Sequence, residues 1–65
     1  MDTERYPRYR LLTGPDDSAF CHRVSDALEL GYELYGPPAA TFNGTNVIVA
    51  QAVLWGRDEP TPLLP

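Results

Sequence analysis

Cys21 and His22 are adjacent in a chain that has one cysteine and one histidine. Thiol–imidazole pairs serve nucleophilic catalysis and metal binding. The residues around them predict a helix, in which neighbouring side chains point about 100° apart and do not face each other. His22 falls on the polar side of this helix, and Cys21 falls at the margin of its apolar stripe. We therefore predict no site at this pair.

Two further sets of polar residues could in principle form a catalytic or metal-binding site. Ser18, His22 and Asp26 follow one another at spacings of four, in the order of a nucleophile, a base and an orienting acid. A hydrolase triad also needs an oxyanion hole and a concave site, which an exposed helix face does not offer. Asp16 and Asp17 fall at the predicted helix start, where negative charge is favoured by the helix dipole. The sequence thus predicts no catalytic, cofactor-binding or metal-binding residue and no cofactor.

Gln51 is the single polar side chain inside an otherwise apolar segment, residues 47–55. A buried amide needs hydrogen-bond partners. It could bond the Pro37–Pro38 region, line a pocket or lie across a dimer interface. We favour the first, structural role and regard Gln51 as a possible buried polar site.

The charge balance excludes several classes of partner. The 65 residues include nine acidic and five basic side chains, all arginines, for a net charge of −4. Nucleic acids and anionic membranes select basic surfaces, so we expect neither as a partner. The first ten residues are charged and contain no apolar run, so we expect a cytoplasmic protein with a reduced thiol. Because a lone cysteine excludes an intramolecular disulfide, oligomerisation is the stabilising device left to so short a chain.

Apolar periodicity and turn residues predict one helix and three strands. The helix starts at Pro15 with Thr13 or Gly14 as its cap, carries an apolar stripe, and ends before Gly31. Asn43-Gly44 predicts a hairpin turn in which both residues can take positive φ. The predicted stripe comprises Phe20, Val24, Ala27 and Leu28, and the predicted strands are residues 9–13, 32–36 with a continuation after Pro37–Pro38, and 45–55.

This order predicts an α+β fold, β-α-β-β, with one helix packed on a three-stranded sheet. Strand three is apolar on both faces, as is typical of a central strand. We expect a loose N-terminus over residues 1–8, a single domain over 9–56 and a Pro-rich tail over 57–65.

One sheet face has nothing in the chain that is assigned to cover it. Alternation places Tyr35 on the face opposite Leu34, with one set of strand-three side chains. An exposed apolar face of this kind usually marks an interface. The predicted interface residues are Tyr35, Ala50, Ala52 and Leu54. The alternative is that Leu63 and Leu64 fold under the sheet and cover them.

The segments YRLLTGPDD, GYELYG, FNG and VIVAQAVLW together resemble the domain-of-unknown-function 1737 family of bacteria and phages, from about residue 9 to residue 55. The strand ending in Thr-Gly and the Gln51-Ala52 pair fit its pattern, whereas Tyr32 stands where tryptophan is frequent. The resemblance implies a small α+β domain and supplies no catalytic residue.

These observations predict a non-catalytic module that forms a homo-oligomer or binds a protein partner. One alternative is an accessory or regulatory subunit of a larger enzyme. Another is a small-molecule binder or enzyme whose site forms at an oligomer interface.

Overall fold

A computed structural model describes residues 4–64 of the chain. Residues 1–3 of the predicted N-terminal segment and residue 65 of the predicted tail lie outside the described residues. The elements are β1 (Tyr9–Pro15), α1 (Ser18–Leu30), β2 (Glu33–Phe42) and β3 (Val47–Leu54). The sheet order is β1-β3-β2, and β3 is antiparallel to both neighbours. This confirms the predicted α+β fold with the third strand at the centre.

The passage from β1 to α1 differs from the prediction. β1 continues through Gly14 and Pro15, which pair with Val49 and Ile48, so the proline ends a strand and does not begin the helix. An edge strand tolerates proline because one side of its backbone needs no ladder donor. The helix cap is Asp17, whose Oδ1 accepts a hydrogen bond of 3.0 Å from the Phe20 amide.

The helix covers one sheet face with a narrow stripe. Ala27 is buried, and Phe20 and Val24 pack against the core, as predicted. Leu28 is 42% exposed, and Leu30 packs against the core in its place. The helix ends at Gly31, whose φ of 123° places it in a region that side chains disfavour. The buried apolar core consists of Leu12, Ala27, Tyr32, Val53 and Trp55.

β2 is irregular where the two prolines occur. The pairing with β3 shifts between Tyr35 and Ala39, so three β2 residues stand opposite Gln51 alone. A bulge accommodates Pro37 and Pro38 because neither has an N–H to contribute to the ladder.

The β2–β3 hairpin is longer than the predicted two-residue turn. Its loop spans residues 43–46, and among its residues only Gly44 has positive φ. Asn43 Oδ1 accepts hydrogen bonds from the Thr45 and Asn46 amides at 2.9 and 2.8 Å. The side chain of Asn43 thus holds the turn, and a positive φ at that residue is unnecessary.

The two terminal segments pair with each other beside the core. The Tyr6 amide donates to the Pro62 carbonyl at 3.0 Å, and the Leu64 amide donates to Glu4 at 2.9 Å. Trp55 Nε1 donates to the Glu59 carbonyl at 2.8 Å. The tail therefore lies against the N-terminal segment and Trp55.

Candidate interaction surface

The sheet face that α1 leaves uncovered is built from four cross-strand rows. Residues directly opposite in antiparallel strands share a face, and every second residue along a strand does so too. We call this surface the open face. Its rows are Tyr9–Leu54–Glu33, Leu11–Ala52–Tyr35, Thr13–Ala50–Ala39 and Pro15–Ile48–Thr41.

Large apolar side chains on the open face are in contact with solvent. Tyr9, Leu11 and Tyr35 are 52%, 56% and 61% exposed. Within the four rows Glu33 is the one charged residue, and it lies in a terminal row. The surface is thus an apolar sheet face with an uncharged centre, which is unusual for a surface that stays in water.

All four residues predicted for the interface lie on this face. Ala50 and Ala52 are half-buried in the central strand, whereas Tyr35 and Leu54 are exposed. Leu63 and Leu64 lie beside the N-terminal segment and are themselves 49% and 39% exposed. They leave the open face uncovered.

The sequence reasoning did not identify the β1 part of this face, Tyr9 and Leu11, nor Ala39 and Ile48. Alternation along β1 separates Tyr9 and Leu11 from Arg10 and Leu12, but both sets contain large side chains. Only the register with β3 shows which set faces the helix, because Leu12 pairs with Gln51 on the covered side.

Gln51 is buried, at 6% exposure, on the helix-covered face. Its Nε2 donates to the Gly36 carbonyl at 3.2 Å and to the Ala52 carbonyl at 2.8 Å. Gly36 directly precedes the two prolines, so the amide fills the gap that the bulge opens in the ladder. This geometry gives Gln51 a structural contact, and it lies on the face opposite the open face.

The polar side chains considered for chemistry are spread over the exposed surface of α1. Ser18, Cys21, His22 and Asp26 are all exposed. Cys21, which was predicted at the margin of the apolar stripe, is exposed to solvent. Within residues 4–64, no three His, Cys, Asp or Glu side chains are grouped so that they could hold a metal ion.

Two arginines, Arg10 and Arg57, lie over aromatic rings at the core. The Arg10 guanidinium carbon lies 5.2 Å from the Tyr6 ring centroid and 5.4 Å from that of Tyr32. Arg57 lies over Trp55 at 5.5 Å. These cation–π contacts hold the ends of the chain against the sheet.

Tyr32 is a buried phenol whose pKa is shifted by its surroundings. It is buried, its hydroxyl donates to the Pro7 carbonyl, and its ring meets Trp55 edge-on with 5.3 Å between centroids. Burial raises the pKa of Tyr32 above 10.0, and the nearby Arg10 guanidinium opposes that shift more weakly. The phenol is therefore neutral at physiological pH and acts as a hydrogen-bond donor in the core.

β2 is exposed along its whole length, on both faces of the sheet. On the helix side, α1 packs closest to β1 and leaves Leu34, Phe42 and Val47 at 55%, 65% and 43% exposure. Surface depressions at Ser25–Leu28–Glu29 and at residues 57–59 are open and lined by exposed side chains. Among the described residues, no helix is long and apolar enough to cross a membrane.

Comparison with known proteins identifies a family and no activity. A protein-family model described as "Domain of unknown function (DUF1737)" matches residues 7–55. The chain belongs to the DUF1737 family. No curated protein and no solved structure matches it. The matched range contains α1, all three strands and Pro7, the acceptor for Tyr32, so both faces of the sheet belong to the DUF1737 unit.

Proposed function

We propose that this DUF1737 domain is a non-catalytic protein-interaction module that self-associates through its open face. The observation that carries the proposal is the row of Leu11, Ala52 and Tyr35, which places two large exposed apolar side chains around the central strand. An apolar sheet face needs a second layer, and the usual layer is another sheet or helix.

The accessible surface of the chain is larger than that of a compact monomer of its mass. A compact monomer of 7.2 kDa has an accessible surface of about 4,100 Å², whereas this chain exposes 4854 Å². The excess of about 700 Å² is surface that a compact chain of this mass would bury. The radius of gyration is 13.3 Å, against about 10.7 Å for a compact chain of this length. The isolated chain is thus broader than a self-sufficient globule.

The two prolines favour contact through the face over contact through the β2 edge. An added strand needs amide donors along that edge, and Pro37 and Pro38 supply none. The bulge at these residues also bends the strand. Two copies that met face to face would avoid this obstacle.

Light scattering over a dilution series tests the proposal. We expect the purified domain to have a multiple of its 7.2 kDa mass and to dissociate on dilution. Ala52→Asp should give a folded monomer, because it places a charge at the centre of the apolar contact. Ala40→Asp is the matched control: Ala40 pairs with Val49 on the other side of the sheet, so this change should leave the mass unchanged.

A folded wild-type monomer at all concentrations would contradict self-association and favour the second candidate, an accessory subunit of a larger protein. The exposed apolar side chains on the helix side of β2, Leu34 and Phe42, favour that candidate because contact through the open face leaves them uncovered. A site for a small molecule between copies has less support, because His22 and Gln51 both lie off the open face.

A further inference from the structure

The C-terminal tail lies on a surface formed by residues 4–6 and Trp55, which we call the tail site. We infer that the tail site binds extended peptides that contain a Thr-Pro pair, and that residues 59–64 of this chain are its displaceable occupant. The tail site shares no residue with the four rows of the open face. Its occupancy can therefore be tested whether or not copies of the chain self-associate.

The tail site presents hydrogen-bond donors to main-chain carbonyls of the tail. An indole N–H, a guanidinium and a backbone amide each meet one carbonyl, which is how sites for extended peptides commonly engage their ligands. The pairs are Trp55 Nε1 with Glu59 at 2.8 Å, Arg5 Nη1 with Thr61 at 2.6 Å, and the Tyr6 amide with Pro62 at 3.0 Å. These three contacts therefore depend on the extended path of the tail and not on its side chains.

The tail also donates hydrogen bonds to the tail site. The Leu64 amide donates to the Glu4 carbonyl at 2.9 Å, and the Thr61 hydroxyl donates to the Tyr6 carbonyl. An antiparallel β-bridge joins the two segments between these bonds. The terminal segments are thus paired like short β-strands, and the threonine adds a side-chain contact to this pairing.

The residue types of the tail indicate which peptides fit the site. Thr61 is 5% exposed, so the site leaves no room for a large side chain there, and its hydroxyl reaches an acceptor. Pro60 and Pro62 have no N–H, and none of the contacts above requires a donor at either position. A proline on each side of the threonine fixes φ and lowers the entropy that a peptide loses on binding. The favoured ligand is therefore an extended peptide with a proline-flanked threonine.

The tail is separable from the folded core. Within the described chain, the buried apolar core and the side chains packed against it lie between residues 6 and 55. Leu63 and Leu64 are 49% and 39% exposed, so they add little apolar burial. The DUF1737 match ends at residue 55, before the tail begins. The tail can therefore leave its site while the core stays folded.

The tail blocks the site in the wild-type chain because it is tethered beside it. Three residues, 56–58, separate Trp55 from Glu59. A short connector gives a tethered ligand an effective concentration of about a millimolar or more. An added peptide must compete with that concentration in wild type, whereas it meets a vacant site in a variant whose own tail does not fit.

Titration with the peptide RDEPTPLL, residues 57–64, tests the inference in the 65-residue chain. Thr61→Arg places a long charged side chain at the buried position of the tail and leaves residues 4–6 and Trp55 unchanged. Calorimetry should show the peptide binding Thr61→Arg at least about tenfold more tightly than wild type. Pro60→Arg is the matched control: Pro60 is adjacent and exposed, so the tail should stay bound and the peptide should bind as weakly as to wild type.

The fluorescence of Trp55 reports the occupancy of the site. Trp55 is the sole tryptophan of the chain, and the peptide has none. Release of the tail in Thr61→Arg should shift the emission to longer wavelength, because the indole gains contact with water, and the peptide should reverse that shift. The same peptide carrying Thr61→Arg should neither bind nor reverse it.

The peptide titration has three outcomes that would overturn the inference. The first is equal affinity of the peptide for wild type and Thr61→Arg. The second is no binding to a Thr61→Arg chain that circular dichroism shows to be folded. The third is an unfolded Thr61→Arg chain, because the tail would then be required for folding and would not be displaceable.

Amide hydrogen exchange of wild type is a second measurement and needs no variant. The Leu64 amide should be protected at least about tenfold less than the Val53 amide of β3, because the tail opens while the core stays folded. Equal protection of the two amides would mean that the tail leaves its site only when the domain unfolds, and it would equally overturn the inference.

Discussion

The two faces of β3 are both apolar, yet one is covered and the other is open. On the helix side Val53 is fully buried, beside the buried Gln51. On the other side Ala52 is half-buried and Leu54 is exposed. The residue types do not explain the difference, because both sets could fill a core. Residues 4–64 contain one helix, and the side on which that helix docks decides which set becomes the core.

The covered face should carry the stability of the single chain, and the largest effect should come from its aromatic residue. Trp55 is 3% exposed and packs edge-to-face with Tyr32. We expect Trp55→Ala to lower the free energy of unfolding by about 3–5 kcal/mol, enough to unfold a small domain. Tyr35→Ala on the open face should change it by no more than about 0.5 kcal/mol at dilutions where copies are dissociated. Urea titration measures the free energy of unfolding of both variants. Equal losses would contradict the view that the covered face carries the stability of the single chain.

The amide of Gln51 should matter although it is polar. Gln51→Met keeps the volume but leaves the Gly36 carbonyl without its donor, at a cost of about 1–2 kcal/mol. Thr41→Val, on the open face, should be neutral within about 0.5 kcal/mol. Thermal melts compare the two variants. A neutral Gln51→Met would mean that the bulge is held without the side chain.

The helix that covers one face depends on its cap. Asp17→Ala removes the acceptor for the Phe20 amide, and we expect a loss of about 1 kcal/mol in unfolding free energy. Asp16→Ala is the adjacent control and should stay within about 0.5 kcal/mol, because the cap contact belongs to Asp17. Equal losses of stability for the two changes would contradict the assignment of Asp17 as the helix cap.

The smallest effect concerns alkaline pH. The pKa of Tyr32 is raised above the unfolded value of 10.0, so the folded state favours the neutral phenol. The stabilisation of the folded state by the neutral phenol is complete below pH 10, and it is lost as the pH rises through the raised pKa. Urea midpoints of Tyr32→Phe should therefore fall less steeply above pH 10 than those of wild type. A Tyr32→Phe profile as steep as that of wild type above pH 10 would contradict the assignment.

The order and type of the elements were predictable because local signals for them are strong. Gly31 ends the helix, two-sided apolarity makes β3 central, and Pro37–Pro38 marks the interruption of β2. The predicted helix start was wrong because a proline such as Pro15 is compatible both with the first turn of a helix and with the end of an edge strand. Only its pairing with Ile48 decides between them.

Part of the candidate surface was predictable because alternation along one strand is a local signal, whereas the register between strands is not. Tyr35, Ala50, Ala52 and Leu54 follow from alternation along single strands. The contribution of Leu11 depends on the register between β1 and β3, which arises from contacts between residues about forty positions apart. The pairing of the two terminal segments likewise has no local signal.

The proposed self-association requires that the open face, and not the helix side of β2, is buried between copies. Ala39 and Ala40 are adjacent, both exposed, and lie on opposite faces of β2. We would measure the mass of Ala39→Asp and Ala40→Asp by light scattering beside wild type. We expect Ala39→Asp to be monomeric and Ala40→Asp to keep the wild-type mass. A dissociated Ala40→Asp beside an intact Ala39→Asp would contradict it.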